Sequence, residues 1–318
     1  MNVPKERTDS EETTQQKVKA FAELVRKSKH LVIYTGAGVS TAASIPDYRG
    51  SEGVWTLNAQ GKRPEVKLCL EQAKPTFAHM ALVALQQKDL LKFVISTNCD
   101  GLHLRSGIDP ARFAEIHGNI YKEYCMDCSQ EYLRPFDVRP KKIQFDKSNR
   151  KTGRLCERID PVTNQPCLGK LRDSIINFGE LLPAKEMEAA IQQSTQADYT
   201  LVIGSSMHVT SAAQLPGYSI ANGGCFSICN LQPTPYDEDV TLSKGIRLFC
   251  KADEFMRLLM KELDIEVPEY YEEILTEEEM MRGIITDPEH GVLQKYNVHS
   301  MSDDGPPPPD VLNDQARF

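Results

Sequence analysis

The chain has 318 residues, of which 40% are hydrophobic and 26% charged, and its net charge is −8. These are globular values and exclude wholesale disorder. No apolar run reaches the ~18 residues that cross a bilayer, and the polar opening MNVPKERTDSEETTQQ lacks the apolar stretch of a secretory signal.

In chain order, residues 1–13 are expected to be disordered. A helix is predicted over residues 14–29, with Val18, Phe21, Ala22 and Val25 on one face. The apolar run from His30 to Tyr34 reads as a strand that leads into Thr35-Gly36-Ala37-Gly38-Val39-Ser40-Thr41. Thr76 is placed to cap a second helix that buries Phe77, Met80, Ala81, Ala84 and Leu85. Short apolar runs at 91–96, 199–203, 225–229 and 246–250 read as strands, and the stretches 184–196 and 252–263 as helices. Buried strands alternating with helices predict an α/β fold built on a doubly wound parallel sheet. Residues from Asp304 onward (DGPPPPD) are expected to form a flexible tail.

The charge is unevenly placed. Residues 262–289 hold eleven acidic side chains and one basic one, so the acidity belongs to an extension over 266–318 and the body is about neutral. Residues 134–158 carry nine Arg and Lys against three acids. Such a stretch is a solvated loop or a contact with nucleic acid.

Nine cysteines without an export signal argue against a disulfide scaffold. Cys125-x-x-Cys128 has the knuckle spacing of a zinc site, and Cys156 and Cys167 follow across a polar, basic segment. That segment is too poor in apolar residues to build its own core, so a metal staple is expected over about 120–172. Four thiolates leave no open position, which makes the metal structural. Cys69, Cys225, Cys229 and Cys250 sit among apolar residues and read as packing.

Gly36-x-Gly38 after a buried strand begins a dinucleotide loop, in which glycine lets the backbone approach a pyrophosphate. The third glycine is missing, since Thr41 stands in its place, and a polar loop (IPDYRG, Ile45–Gly50) follows. An ordinary hydride-transfer enzyme is therefore disfavoured. Asn98 and Asp100 leave the end of the second strand, where ligands of parallel sheets gather. His117, between Glu115 and Gly118, reads as a structural histidine or a base. His79 and His103 read as packed side chains, and Trp55 as core or as a shield for a reactive centre.

Together the runs GAGVSTAASIPDYRGSEGVW, TNCDGLH, EIHGN, the cysteine pairs, IGSS and NLQPT resemble the sirtuin family over about residues 20–265. DYRG with GVWT, NCDGLHLRSG and NLQPT is similar to the class IV branch typified by sirtuins six and seven. The resemblance implies a Rossmann-type domain with helices on both faces of its sheet, spanning 14–265, and a small inserted zinc domain. It implies NAD as consumed co-substrate and one structural zinc held by Cys125, Cys128, Cys156 and Cys167. Ala37, Thr41, Tyr48, Arg49 and Trp55 would line the NAD site, with Asn98 and Asp100 at the nicotinamide end. Gly204 and Ser206 would meet phosphate and ribose, and Asn230 and Gln232 the adenosine end. Phe178, Gly179 and Glu180 would pair with the substrate lysine strand, and His117 would be the general base. The implied reaction is protein-lysine deacylation giving nicotinamide, O-acyl-ADP-ribose and free lysine. Acyl-lysine proteins such as histone tails are the implied substrates and the nucleus the implied location, the cytoplasm being the alternative; the basic charge of 134–158 adds a candidate nucleosome or nucleic-acid contact.

Two alternatives stay open: mono-ADP-ribosyl transfer, and an NAD-responsive chromatin scaffold with little turnover. Two departures from the family also bear on function. Thr97 stands where the family usually has Gln, and its shorter side chain reaches less far toward the ribose. Ser51 stands where the branch usually has Pro, which predicts a looser lid over Tyr48–Trp55.

Overall fold

The computed structural model describes residues 5–62, 70–139, 150–271 and 284–285. In chain order its first half comprises α1 (Glu11–Lys27), β1 (Leu31–Thr35), α2 (Val54–Ala59), α3 (Phe77–Gln87), β2 (Leu91–Ser96), α4 (Leu102–Arg105) and β3 (Phe113–Glu115). There follow β4 (Lys122–Cys125), β5 (Glu131–Leu133), β6 (Lys151–Leu155), β7 (Lys170–Asp173), α5 (Ala184–Gln196) and β8 (Tyr199–Ile203). The remainder is α6 (Thr210–Ala213), α7 (Gly217–Ala221), β9 (Cys225–Cys229), α8 (Asp237–Leu242), β10 (Arg247–Leu248), α9 (Ala252–Leu263) and β11 (Ile284–Ile285).

Two sheets result. The main sheet is parallel, in the order β10-β9-β8-β1-β2-β3. Its central strand β1 is buried along its whole length, which explains its unbroken apolar character. Leu31 and Ile33 face a core built with α1, α3 and α9, whereas Val32 and Tyr34 face one built with α5 and α8. Helices on both faces of a parallel sheet are the Rossmann-type arrangement. The second sheet, β11-β5-β4-β7-β6, is antiparallel, and its strands β4–β7 are inserted between β3 and β8.

α1 starts earlier than its periodicity suggests, because Ser10 caps it and accepts from the Thr13 N–H at 3.2 Å. Nor are residues 5–13 disordered. The Arg7 N–H donates to the Leu231 carbonyl at 2.8 Å, and the Asp9 N–H to the Phe249 carbonyl at 2.9 Å. These are long-range bonds that local composition does not display. The last predicted strand shrinks to Arg247–Leu248.

The packed histidines have clear partners. The Thr76 N–H donates to His79 Nδ1 at 3.2 Å while His79 N–H returns to the Thr76 hydroxyl, so the two residues cap α3 reciprocally. His103 Nε2 bonds the Thr35 hydroxyl at 2.9 Å. Cys229 and Cys250 are buried and Cys225 half-buried. Cys69, Lys141, Lys142, Lys147, and the acidic extension beyond Tyr271 except Ile284–Ile285, lie outside the described residues.

The basic stretch is largely neutralised where it is described. Arg134 and Arg154 converge on the fully buried Glu123, at 2.8 and 2.7 Å. Arg139 pairs with Asp137 at 2.6 Å, and Arg150 with Asp173 and Glu180. These arginines support the small sheet internally and are not a free surface for phosphates; Lys151 and Arg158 are exposed.

Candidate active site

The strand order of the main sheet reverses between β1 and β8. Ligands of open α/β sheets bind at such a point, outside the carboxyl ends of the strands. A cleft of about 350 Å³ lies there.

Its floor is made by two glycine turns in contact. The Gly38 N–H donates to the Gly204 carbonyl at 2.8 Å. A Cβ on Gly38 would lie 2.7 Å from the Gly204 Cα, and Gly204 itself has a φ of +64°. Side chains at either position would drive the turns apart, so both glycines are required by close approach. Ala37, Gly204 and Ser206 line the cleft from these turns.

The end of β2 supplies a buried polar relay. The Ser40 hydroxyl donates to Asp100 Oδ2 at 2.6 Å, and the Asn98 amide donates to Ser40 Oγ at 3.2 Å. Asp100 Oδ1 accepts the Leu102 N–H at 2.9 Å. Burial raises the Asp100 carboxyl above its ordinary pKa, against the opposing pull of these donors. Asn98 faces the cleft, whereas Asp100 stands behind it and acts on it through Ser40 and Asn98. Thr41 also lies outside the lining, because its hydroxyl turns back to the Gly38 carbonyl at 3.0 Å. Thr41 and Asp100 were both expected at the cofactor site; neither side chain lines the cleft in this structure.

His117 reaches the cleft from the turn after β3. Its Nδ1 lies 3.2 Å from the Thr97 carbonyl. A carbonyl only accepts, so Nδ1 carries the proton and Nε2 carries the lone pair. Burial lowers the imidazole pKa, and the bond to Thr97 partly opposes this. The turn is fastened by the Asn119 amide, which donates to Glu115 Oε1 at 2.8 Å, while Lys122 pairs with Glu115 at 3.1 Å. Thr97 lines the cleft, but its hydroxyl is spent on the Thr35 carbonyl at 3.2 Å.

The Ile45–Trp55 loop covers the cleft. Arg49 stacks on Trp55 at 4.1 Å and donates to the Ser206 hydroxyl at 3.3 Å. Tyr48 and Phe178 flank Trp55 with ring centroids 5.3 and 6.1 Å away. Gln232 donates to the Arg49 carbonyl at 2.6 Å, and the Asn230 amide to the Gln232 carbonyl at 3.0 Å. Ser51, where a looser lid was expected, donates its N–H to Glu6 at 2.8 Å.

Phe178, Gly179 and Glu180 form the outer wall. Phe178 is 60% exposed. Glu180 is held by Arg150, by Arg172 at 3.1 Å and by the Asn177 N–H at 2.8 Å.

Cys125, Cys128, Cys156 and Cys167 bring their sulfurs within 4.8 Å of one another. Two of the separations are 3.8 and 3.6 Å. Tetrahedral Zn–S bonds of ~2.3 Å require sulfurs about 3.8 Å apart, so the cluster fits one zinc. Sequence reasoning missed Ser40, whose partner Asp100 is 60 residues away. It also missed His208, Asn177 and Met207, which line the cleft from loops without a motif.

Known proteins agree with this geometry. The Sir2 family model matches residues 62–211. The chain is 37% identical over 265 residues to the NAD-dependent protein deacetylase Sirt6 of Drosophila melanogaster, covering 83% of this chain and 80% of that one. It is 41% identical over 274 residues to NAD-dependent protein deacetylase sirtuin-7 of Bos taurus, covering 82% and 64%. It spans about half the length of the plant deacetylases SRT1 that it also matches, 51% and 52%. A solved Sir2 bound to acetylated peptide superposes with a TM-score of 0.58 at 32% identity, covering 79% of this chain and 100% of that one. The glycine turns, the His117 turn and the four-cysteine cluster therefore stand in a chain that belongs to the Sir2 family, in the sirtuin six and seven branch.

Proposed function

We propose that this chain is an NAD-dependent protein-lysine deacylase that gives nicotinamide, O-acyl-ADP-ribose and free lysine. The observation that carries the reading is His117, whose tautomer is fixed by the Thr97 carbonyl so that Nε2 is the base. NAD supplies an activated ribose carbon, to which the acyl oxygen transfers. The Gly38 and Gly204 turns would admit the pyrophosphate closely, and Asn98, tied through Ser40 to Asp100, would hold the nicotinamide amide. His117 Nε2 would take the proton of a ribose hydroxyl. Tyr48, Trp55 and Phe178 would exclude water, which limits simple hydrolysis.

Kinship with the sirtuin six and seven branch supports histone tails as the substrates to try first and a nuclear site of action. One observation favours a second reading. Position 97 is a threonine whose hydroxyl donates to the Thr35 carbonyl, so no side-chain amide reaches toward the ribose from there, and ADP-ribosyl transfer to protein competes.

The test is a reaction with NAD and a panel of acyl-lysine histone peptides, followed by mass spectrometry. O-acyl-ADP-ribose is expected, and His117→Ala is expected to reduce it about 10²- to 10³-fold. Nicotinamide release without deacylated peptide would replace this reading with ADP-ribosyl transfer or hydrolysis. No release at all would leave a scaffold.

A further inference from the structure

Residues 6–10 run along the rim of the cofactor cleft as a strap. At its far end Ser10 caps α1. Asp9 pairs with Lys17 at 2.6 Å and is tied to Phe249 by two bonds, Asp9 N–H to the Phe249 carbonyl at 2.9 Å and Phe249 N–H to the Asp9 carboxylate at 3.2 Å. The Arg7 N–H donates to the Leu231 carbonyl at 2.8 Å, between Asn230 and Gln232, which both line the cleft. Glu6 then crosses to the opposite wall. Its carboxylate accepts the Ser51 N–H at 2.8 Å and the Ser51 hydroxyl at 3.3 Å.

Ser51 lies two residues from Arg49 and belongs to the turn that Asp47 closes by accepting the Gly50 N–H at 2.8 Å. Moving this turn moves Tyr48 and Arg49, and with them the stack on Trp55. The lid is therefore fixed to the adenosine wall twice, directly by Gln232 on the Arg49 carbonyl and indirectly by the strap. A carboxylate that takes both donors of one residue is a directed contact, and it requires an N–H at position 51.

We propose that Glu6 is a positioning residue for the cofactor lid: through Ser51 it holds the Tyr48–Trp55 loop in the conformation that accepts NAD. This rests on the reading of the cleft as an NAD site, and the experiment separates the two.

Four full-length variants test it: Glu6→Ala, Ser51→Ala, Ser51→Pro, and the double variant Glu6→Ala with Ser51→Pro. Ser51→Ala keeps the N–H, whereas Ser51→Pro removes it. Glu6→Ala and Ser51→Pro should each raise the KM for NAD about fivefold with kcat within about twofold, and the double variant should be no worse than either. Ser51→Ala should have the smaller effect. Two readouts do not need turnover. Trp55 is the chain's one tryptophan, so its fluorescence reports the lid during an NAD titration. Amide exchange over residues 48–55 reports the latch itself and should quicken in Glu6→Ala. An unchanged KM for NAD and unchanged exchange in Glu6→Ala would overturn the proposal. So would additive effects in the double variant, which would mean that Glu6 and Ser51 act separately. If the wild type forms no product, the functional reading fails, and exchange together with the fluorescence titration still decides the latch.

Discussion

At the scale of single residues, the proposed chemistry turns on which nitrogen of His117 holds the proton. The Thr97 carbonyl settles the tautomer, and burial lowers the pKa below the ordinary imidazole value. A base works only when neutral. Activity should therefore be full above about pH 6.5 and fall as the pH drops through the lowered pKa. A profile of kcat/KM from about pH 5 to about pH 9 should show its acidic limb centred below about 6.5. A limb centred above 7 would assign it to another group. Local sequence left His117 open between a structural histidine and a base, and the family resemblance favoured the base; neither reveals the Thr97 carbonyl 20 residues earlier. The Ser40–Asp100 bond was invisible for the same reason: it exists only once the ends of β1 and β2 lie side by side. Thr97 shows the converse. Its identity is plain in the chain, and the fold adds where its hydroxyl goes.

At the scale of elements, legibility follows burial. β2, β8 and β9 fall where the apolar runs predict them, because strands covered on both faces carry continuous apolar residues. β3 has three residues, too few to set a pattern. β6 (KTGRL) alternates between exposed and half-buried and has no apolar stripe, so nothing in its composition marks a strand. It is held instead by pairing with β7 and by Arg154 on Glu123. Ion pairing also joins the small sheet to the outer wall of the cleft. Arg150 stands just before β6 and Arg172 lies on β7, and both grip Glu180 beside the exposed Phe178. Glu180→Gln keeps the shape but removes the charge that both arginines recognise. The KM for acyl-peptide should rise roughly fivefold to tenfold, with the KM for NAD unchanged. Steady-state kinetics with each substrate varied in turn checks this; a rise confined to NAD would refute the coupling.

At the scale of the whole molecule, two sheets of different origin share one site. The Rossmann-type sheet rests on two large apolar cores. In the small module, by contrast, the cluster centred on the cysteines has Cys125, Tyr132, Cys156 and Leu171 as its buried members. Two of these are among the cysteines that could hold a zinc, so the cluster and the candidate metal site are one structure. Tyr132 reinforces it, with its hydroxyl 3.2 Å from the Cys156 sulfur and accepting the Glu157 N–H at 2.9 Å. One zinc per chain is expected by metal analysis. Stripping it with a strong chelator should unravel β4–β7 while the parallel sheet persists. Exchange should then quicken over β4, β5, β6 and β7 and stay slow over β1, β2 and β8. Because Arg150, Arg172 and Asp173 belong to the unravelled part, Glu180 loses its clamp and acyl transfer to NAD should fall together with the metal. NAD binding, followed by Trp55 fluorescence, should weaken far less, since the glycine turns, Asn98 and Gln232 belong to the other sheet and its loops. Full deacylation by metal-free protein would show that the small module is not needed to hold the substrate wall. Equal loss of NAD binding and acyl transfer would show that the two sheets fold as one unit.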